Sequence, residues 1–352
     1  MKVVVLVDGE HYPSVTRWAI DELRAGGLEP LAALFVGGGE KLDPSSALDL
    51  GVPLRGSGSS EAPIAPAVGD AIDELHPEAI FDLSDEPVLG YRERMEIAAV
   101  ALARGVPYLG PDFRFDPPIE EPPLPVPTIA VIGTGKRTGK TAVSGEAARV
   151  AAALGLEPIV VAMGRGGPAE PEVARAGTVT LDVLLGLVRA GRHAASDYLE
   201  IAATSGVTTV GARRAGGGVA GRPAFTNVRA AAELAVGLGA RILIVDGSGA
   251  SVPTFPWDAG VLVVPSTVPP EYLGGYLGPF RLLLSDLVVV TMASSPAGLQ
   301  NIPTLRSHVE RLNADARLIV TDFEPQPLGD VRGRDVFFTT TAPGAVAAKQ
   351  AE

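Results

Sequence analysis

The run Gly133-Thr134-Gly135-Lys136-Arg137-Thr138-Gly139-Lys140-Thr141-Ala142 has the residue types of a phosphate cradle. It directly follows a β-branched stretch and directly precedes a helical one. In that setting backbone N–H groups curl around a β-phosphate and the helix N-terminus adds positive potential. Lys140 would reach the β- and γ-phosphate oxygens, and the Thr141 hydroxyl would ligate Mg²⁺. The common pattern G-x-x-x-x-G-K-[ST] puts its first glycine where Thr134 stands, whereas here Gly133 comes one residue earlier. The tripeptide G-K-T alone says little; strand, glycine pair, second lysine and helix together specify a nucleotide site. Lys136 and Arg137 are not needed around the β-phosphate and are free to face the γ-phosphate or a second anion. Further on, Ile242-Leu-Ile-Val-Asp246-Gly-Ser-Gly-Ala250 ends a strand on an aspartate suited to holding Mg²⁺ directly or through water. An aspartate that merely opens a Gly-Ser turn would read the same way. The expected cofactors are ATP and Mg²⁺, with Lys136, Arg137, Lys140 and Asp246 as the catalytic set.

Two other glycine-rich stretches carry arginine. Val160-Val-Ala-Met-Gly164-Arg165-Gly166-Gly167-Pro168 is a strand running into a loop whose amides can approach an anion, with a guanidinium fork beside them. Gly211-Ala-Arg213-Arg214-Ala-Gly216-Gly217-Gly218-Val-Ala-Gly221 repeats the theme, with Arg222 and Asn227 following. Solvated arginines and plain turns are the alternative; three such stretches in one chain argue for local positive charge. His193 and Asp197 are four apart, a spacing that shares one helix face and can position a substrate group. Capping by Ser196 or Asp197 explains the same letters. Arg165, Gly166, Gly167, His193, Arg213, Arg214 and Gly217 form the expected substrate-binding set. The four histidines are too scattered for a metal cluster, and neither a Ser-His-Asp ordering nor H-E-x-x-H is present.

These residues need strands to hold them. The run Asp116-Pro-Pro-Ile-Glu-Glu-Pro-Pro-Leu-Pro-Val-Pro127 cannot continue a helix or a central strand. It reads as a linker over 116–127 between an N-terminal α/β domain, 1–115, and a core, 128–352. In the first part, strands are expected over Val3–Val7, Leu31–Val36, Ala79–Leu83 and Pro107–Leu109, with helices over Pro13–Arg24 and Arg92–Ala103. Asp8 and Asp85-Glu86 follow two of those strands, where open α/β sheets bind ligands; caps and solvated loops fit equally well. The core should carry strands over Thr128–Ile132, Glu157–Ala162, Thr208–Val210, Arg241–Val245, Val261–Val264, Leu287–Val290, Ala316–Thr321 and Val336–Thr340. Helices are expected over Gly139–Leu154, Leu181–Arg189, Ala194–Ala203 and Val228–Leu238. Alternation of this kind implies a Rossmann-like first domain and a P-loop NTPase core with a mainly parallel sheet.

Composition sets limits. The chain has 352 residues, 46% hydrophobic and 20% charged, which excludes a disordered polymer. Its net charge of −12 argues against broad nucleic-acid binding, which needs a basic surface. Without cysteine there is no disulfide, thiolate metal site or cysteine nucleophile. The apolar start Val3–Val7 is closed by Asp8 and is neither signal peptide nor anchor, and no apolar run approaches the roughly 18 residues of a membrane span. A cytoplasmic protein without membrane attachment is expected. Only five lysines occur, Lys2, Lys41, Lys136, Lys140 and Lys349, and two of them sit in the glycine loop.

The spacing G-T-x-x-x-x-G-K-T resembles the dethiobiotin synthetase and cobyrinate-amidation branch of P-loop enzymes. Taken together, M-G-R-G-G-P at 163–168, G-R-H-A-A-S-D-Y at 191–198, V-G-A-R-R-A-G-G-G at 210–218 and V-D-G-S-G-A-S at 245–251 resemble the cyclic 2,3-diphosphoglycerate synthetase family. The glycine loop and Phe338-Thr-Thr-Thr-Ala-Pro343 fit it too, so the likeness covers essentially the whole chain. The resemblance implies an ATP-dependent ligase that phosphorylates 2,3-diphosphoglycerate and closes it to a cyclic pyrophosphate, releasing ADP and phosphate. It also implies a homodimer, and a chain continuing beyond the position of Glu352. Family members commonly read C-R-R-C-G-G-G where Ala212 and Ala215 stand here; neither position is an expected ligand. The alternative from the residues alone is a nucleotide-dependent switch or assembly factor of the same branch, although no N-K-x-D run reads guanine. A nucleotide-binding module without turnover is the third reading. By strand order, Thr291-Met292 and the loop Phe323–Pro327 would contact the base.

Overall fold

A computed structural model describes residues 1–42, 48–56, 63–324, 330 and 333. Residues 1–321 form one compact unit and 322–352 another, and all elements named below belong to the first. The expected strand Val336–Thr340, the motif Phe338–Pro343 and residues 325–327 of the proposed base loop lie outside the described residues.

The first sheet has the order β3-β2-β1-β4-β5-β6, from β1 (Lys2–Val7), β2 (Glu29–Phe35), β3 (Leu54–Arg55), β4 (Ala79–Asp82), β5 (Tyr108–Leu109) and β6 (Arg114–Phe115). All its pairs are parallel except β5 with β6. Val3 to Val7 are buried on both faces, as a central parallel strand requires. Helices α1 (Pro13–Ala25), α2 (Ile64–Leu75) and α3 (Tyr91–Ala103) complete this part. α2 has no counterpart among the elements expected from the sequence; its Pro63 and Pro66 stand just before and at the start of the helix, where proline costs nothing. The strand order reverses between β1 and β4. The acids there are spent on structure: Asp8 accepts from Asp85 N at 2.6 Å and pairs with His11 at 2.8 Å. Asp82 accepts from Tyr108 Oη at 2.6 Å and Arg94 Nε at 3.0 Å.

The second sheet runs β11-β10-β8-β12-β7-β13-β14-β15. Its strands are β7 (Thr128–Gly133), β8 (Pro158–Gly164), β9 (Glu172–Ala174), β10 (Thr209–Ala215), β11 (Phe225–Thr226), β12 (Ile242–Asp246), β13 (Ala259–Pro265), β14 (Leu287–Thr291) and β15 (Arg317–Val320). The short β9 and β11 pair antiparallel with β10; the other pairs are parallel. Helices are α4 (Lys140–Ala153), α5 (Leu181–Arg189), α6 (Asp197–Ser205), α7 (Val228–Gly237), α8 (Glu271–Gly274), α9 (Gly278–Leu283) and α10 (Pro296–Leu312). One sheet face packs against α4 and α6, the other against α7. The carboxyl ends of β7, β8, β10 and β12 therefore converge on one edge, where ligands bind in sheets of this kind.

Two expectations change. β10 continues to Ala215, so Arg213 and Arg214 are strand residues rather than loop residues. α6 begins at Asp197 instead of Ala194, which leaves His193 ahead of the helix and removes the shared helix face. α10, which carries Pro303 inside it, has no counterpart among the elements expected from the sequence; the Ser295 cap, whose Oγ accepts from Gly298 N at 3.0 Å, and Pro296 at its start sustain it.

Candidate functional site

Gly133 closes β7 and Gly139 opens α4 at φ +90°, a left-handed turn suited to glycine. A Cβ at Gly133 would stand 2.9 Å from Lys140 Cδ and 3.1 Å from its Nζ. That contact is a reason for glycine at 133: Lys140 lies across it. Arg137 takes φ +56°, placing a side chain where the loop turns left-handed. α4 has no side-chain cap, so its first N–H groups are not taken by a cap side chain. Thr134, Gly135, Lys136, Arg137 and Thr138 span the turn, with Thr141 and Ala142 in the first helical turn.

Lys140 is buried, donating from Nζ to Gly135 O at 2.9 Å and Thr138 Oγ1 at 3.3 Å. Burial lowers its pKa, and the nearby carboxylates of Asp246 and Asp197 oppose that shift. Asp246 ends β12 beside Val131 of β7 and Ala162 of β8. It is 1% exposed, and Ser144 Oγ donates to its Oδ1 at 3.0 Å. Burial pushes its pKa up to about 7; Asp197 and Glu200 add to that, while Lys140 and Ser144 pull the other way. Thr291, an expected base contact, is fully buried and donates its hydroxyl to Thr138 O at 2.8 Å. It braces the loop with that hydroxyl.

Two cavities meet at this edge. The first, about 270 Å³, is lined among others by Lys136, Arg137, Lys140, Thr141, Arg165 and Asp197. The second, about 700 Å³, is lined among others by Arg165, His193, Arg213, Arg214, Phe225 and Asn227. Arg165, Gly166 and Gly167 wall both. The glycines are there for close approach: a Cβ at Gly166 would lie 2.8 Å from the His193 ring, and one at Gly167 only 1.9 Å from Ala212 O.

The arginines differ in what they hold. Arg213 donates from Nε to Pro168 O at 2.8 Å and from Nη2 to Gly167 O at 3.1 Å, fixing the Arg165 loop to the end of β10. Arg214 reaches Gly216 O at 2.6 Å and Ser248 O at 2.9 Å, and its buried Nε has no partner. Burial and the neighbouring Arg165 lower the Arg214 pKa. Gly217 lines neither cavity; its Cβ position is 3.2 Å from Ser251 Oγ.

Sequence reasoning underused four residues. Asp197 faces the first cavity, its pKa raised by burial against the pull of Lys140, Arg165 and His193. Ser196 Oγ donates to Gly166 O at 3.0 Å, tying the start of α6 to the Arg165 loop. Ser144 follows Lys140 by four residues, and helical spacing could have placed it on the same face. Asn227 accepts from Arg213 N at 2.6 Å through Oδ1, a link that no spacing announces. Among the described residues no group of three or more His, Cys, Asp or Glu side chains is placed to hold a metal ion. The oxygen-only pair Thr141 and Asp246 nevertheless has the chemistry of a Mg²⁺ site. Burial of the Asp246 carboxylate also creates a need for positive charge that a dication would meet. No helix among the described residues is long and apolar enough to cross a membrane.

Comparison with known proteins yields two family matches, to "Cyclic 2,3-diphosphoglycerate synthetase, N-terminal domain" over residues 2–116 and to "Cyclic 2,3-diphosphoglycerate synthetase, P-loop domain" over 128–322. A cyclic 2,3-diphosphoglycerate synthetase of Rubrobacter xylanophilus is 48% identical over 98% of this chain and 78% of its own length. Those of Thermococcus kodakarensis and Methanothermobacter thermautotrophicus are 43% and 41% identical, over 97% and 98% of this chain and 78% and 76% of theirs.

Proposed function

The chain belongs to the cyclic 2,3-diphosphoglycerate synthetase family, enzymes of the ligase type, and on that premise we propose that it uses ATP to close 2,3-diphosphoglycerate into its cyclic pyrophosphate. One observation carries the reading: two anion-suited cavities share the wall Arg165-Gly166-Gly167, one against the glycine loop and the other against Arg213, Arg214 and His193. ATP phosphates belong in the first and the phosphorylated acid reaches in from the second. An oxygen of one substrate phosphate takes the γ-phosphoryl group and ADP leaves. An oxygen of the other substrate phosphate then attacks the ester phosphorus of the new pyrophosphoryl group, forming the ring P–O–P bond and expelling inorganic phosphate. Phosphate oxygens are already ionised near neutral pH, so no general base is needed for either attack.

The protein's work is positioning and charge. Lys140, Lys136 and Arg137 offset the negative charge on the transferring group, and Arg165 holds the two reacting phosphates near each other against their repulsion. Thr141 and Asp246 would hold Mg²⁺, which supplies further neutralisation of the phosphates when bound. Arg213 supports the pocket by fixing the Arg165 loop. Incubation with ATP, Mg²⁺ and 2,3-diphosphoglycerate should give a new cyclic pyrophosphate resonance by phosphorus NMR, and Lys140→Ala should lose it by a factor of roughly a hundred or more. ATP hydrolysis that is indifferent to the acid, with no new phosphorus species, would refute the reading.

A further inference from the structure

Arg281, on α9, is 6% exposed and has no carboxylate partner among the described residues. Its guanidinium donates to Ala250 O from Nε at 3.1 Å and Nη2 at 2.8 Å. It also donates to Val219 O at 3.3 Å and to Leu277 O at 2.9 Å. Ala250 belongs to the segment that follows Asp246, and Val219 to the glycine-rich segment that follows Arg214. The same two segments are joined twice more. Val252 N donates to Gly221 O at 3.0 Å, and Arg214 spans Gly216 O and Ser248 O. Gly221 sits at φ +89°, and a Cβ there would lie 2.6 Å from Ala250 O and 3.2 Å from Arg281 Nη2.

Burying a guanidinium against neutral acceptors is costly, and burial here drops its pKa to about 10. An apolar side chain of similar size would fill the space at less cost. What arginine adds is a rigid fork that reaches carbonyls on separate segments at once, which a lysine ammonium does not span. The mount is firm as well: Leu277 just before α9, Phe280 on α9 and Ala220 of the glycine segment share one buried cluster with Ile97 and Leu102 of α3. The N-terminal part of the chain thus backs both the helix that carries Arg281 and the segment it grips.

We propose that Arg281 is a positioning residue that locks the segment following Asp246 to the segment following Arg214, so that the nucleotide side and the acid side of the site keep one relative geometry. The assignment of sides rests on the function proposed above. The test compares wild type, Arg281→Met, Arg281→Lys and Gly221→Ala by ADP calorimetry, steady-state kinetics with 2,3-diphosphoglycerate, and amide hydrogen exchange. Arg281→Met should bind ADP within about twofold of wild type while KM for the acid rises about tenfold or more. Exchange should quicken in both 216–221 and 247–252. Arg281→Lys should recover less than half of the lost affinity, and Gly221→Ala should show the same split with the guanidinium intact. An unchanged KM, an equal loss of ADP and acid affinity, or faster exchange in one segment alone overturns the proposal. If Arg281→Met does not fold, Gly221→Ala decides in the same terms. A wild-type enzyme that makes no cyclic product would strike the proposed function instead, and the exchange result would still judge the lock.

Discussion

Replacing Gly167 with alanine tests whether the shared wall between the cavities is as tightly built as its geometry implies. The new Cβ would fall 1.9 Å from Ala212 O, 2.6 Å from its carbonyl carbon and 3.1 Å from Arg213 Cα. An ordinary contact needs about 3.4 Å or more, so strand or loop must give by more than about 1 Å. The strand resists: Ala212 is paired with Met163 and Arg213 with Gly164, in the parallel register of β10 and β8. The loop must therefore retreat, breaking the bonds from Arg213 to Gly167 O and Pro168 O. Overpacking of this kind costs about 1–3 kcal/mol. For a chain of this length that lowers the melting temperature by roughly 1–4 °C. The kinetic effect should be larger, because displacing Arg165 by about 1 Å can cost on the order of a hundredfold in rate. The assay is thermal unfolding together with kcat and KM for 2,3-diphosphoglycerate at saturating ATP. A variant that melts within 1 °C or so of wild type and turns over normally would refute the argument. The wall would then be pliable and Arg165 not held by it.

Two further predictions concern carboxylates. The pKa of Asp246 is raised from 3.8 to about 7 in the folded chain. A raised carboxyl favours the folded state below its unfolded pKa, and that advantage is lost as pH climbs through the folded value. Stability of the metal-free protein should fall between about pH 4 and pH 7 by up to roughly 4 kcal/mol. Asp246→Asn in EDTA should flatten that fall and melt above wild type at pH 7.5, while losing synthetase activity; a lower melting point there would contradict it. Asp197 puts a negative charge against the cavity assigned to phosphates. Asp197→Asn should bind metal-free ADP more tightly by about 1 kcal/mol, five- to tenfold, after screening, and calorimetry in EDTA showing unchanged affinity would oppose this.

The sequence showed the framework because its signals were local. The strand before Gly133, the helix after Gly139 and the aspartate ending β12 each sit within a few residues of their own evidence. The register of neighbouring strands is not local, and that is where the reading fell short. Counting His193 to Asp197 as one helical turn failed because Gly191 takes φ +69° and the helix waits for the Ser196 position before starting. Arg213 and Arg214 look alike as a dipeptide in a glycine-rich stretch. Extending β10 through them sends one to the Arg165 loop and the other to Ser248. Arg281 carries no motif at all; only the folded chain brings Ala250 and Val219 to it.

The same contrast resolves how a chain of net charge −12 can hold a polyanion. Many arginines elsewhere are matched to acids: Arg17 with Asp49, Arg55 with Glu74, Arg104 with Asp73, Arg192 with Glu172, Arg229 with Glu233. Those cations are neutralised where they stand. Beside the second cavity Arg213 and Arg214 donate to backbone carbonyls instead. A carbonyl orients a cation without cancelling its charge. Positive potential therefore survives at this edge although the surface is acidic, and the acidic surface in turn discourages extended polyanions from competing for it. Charge partner, rather than charge count, is what separates the site from the rest of the surface. That distinction follows from which residues the strand ends bring together, and composition alone carries no trace of it.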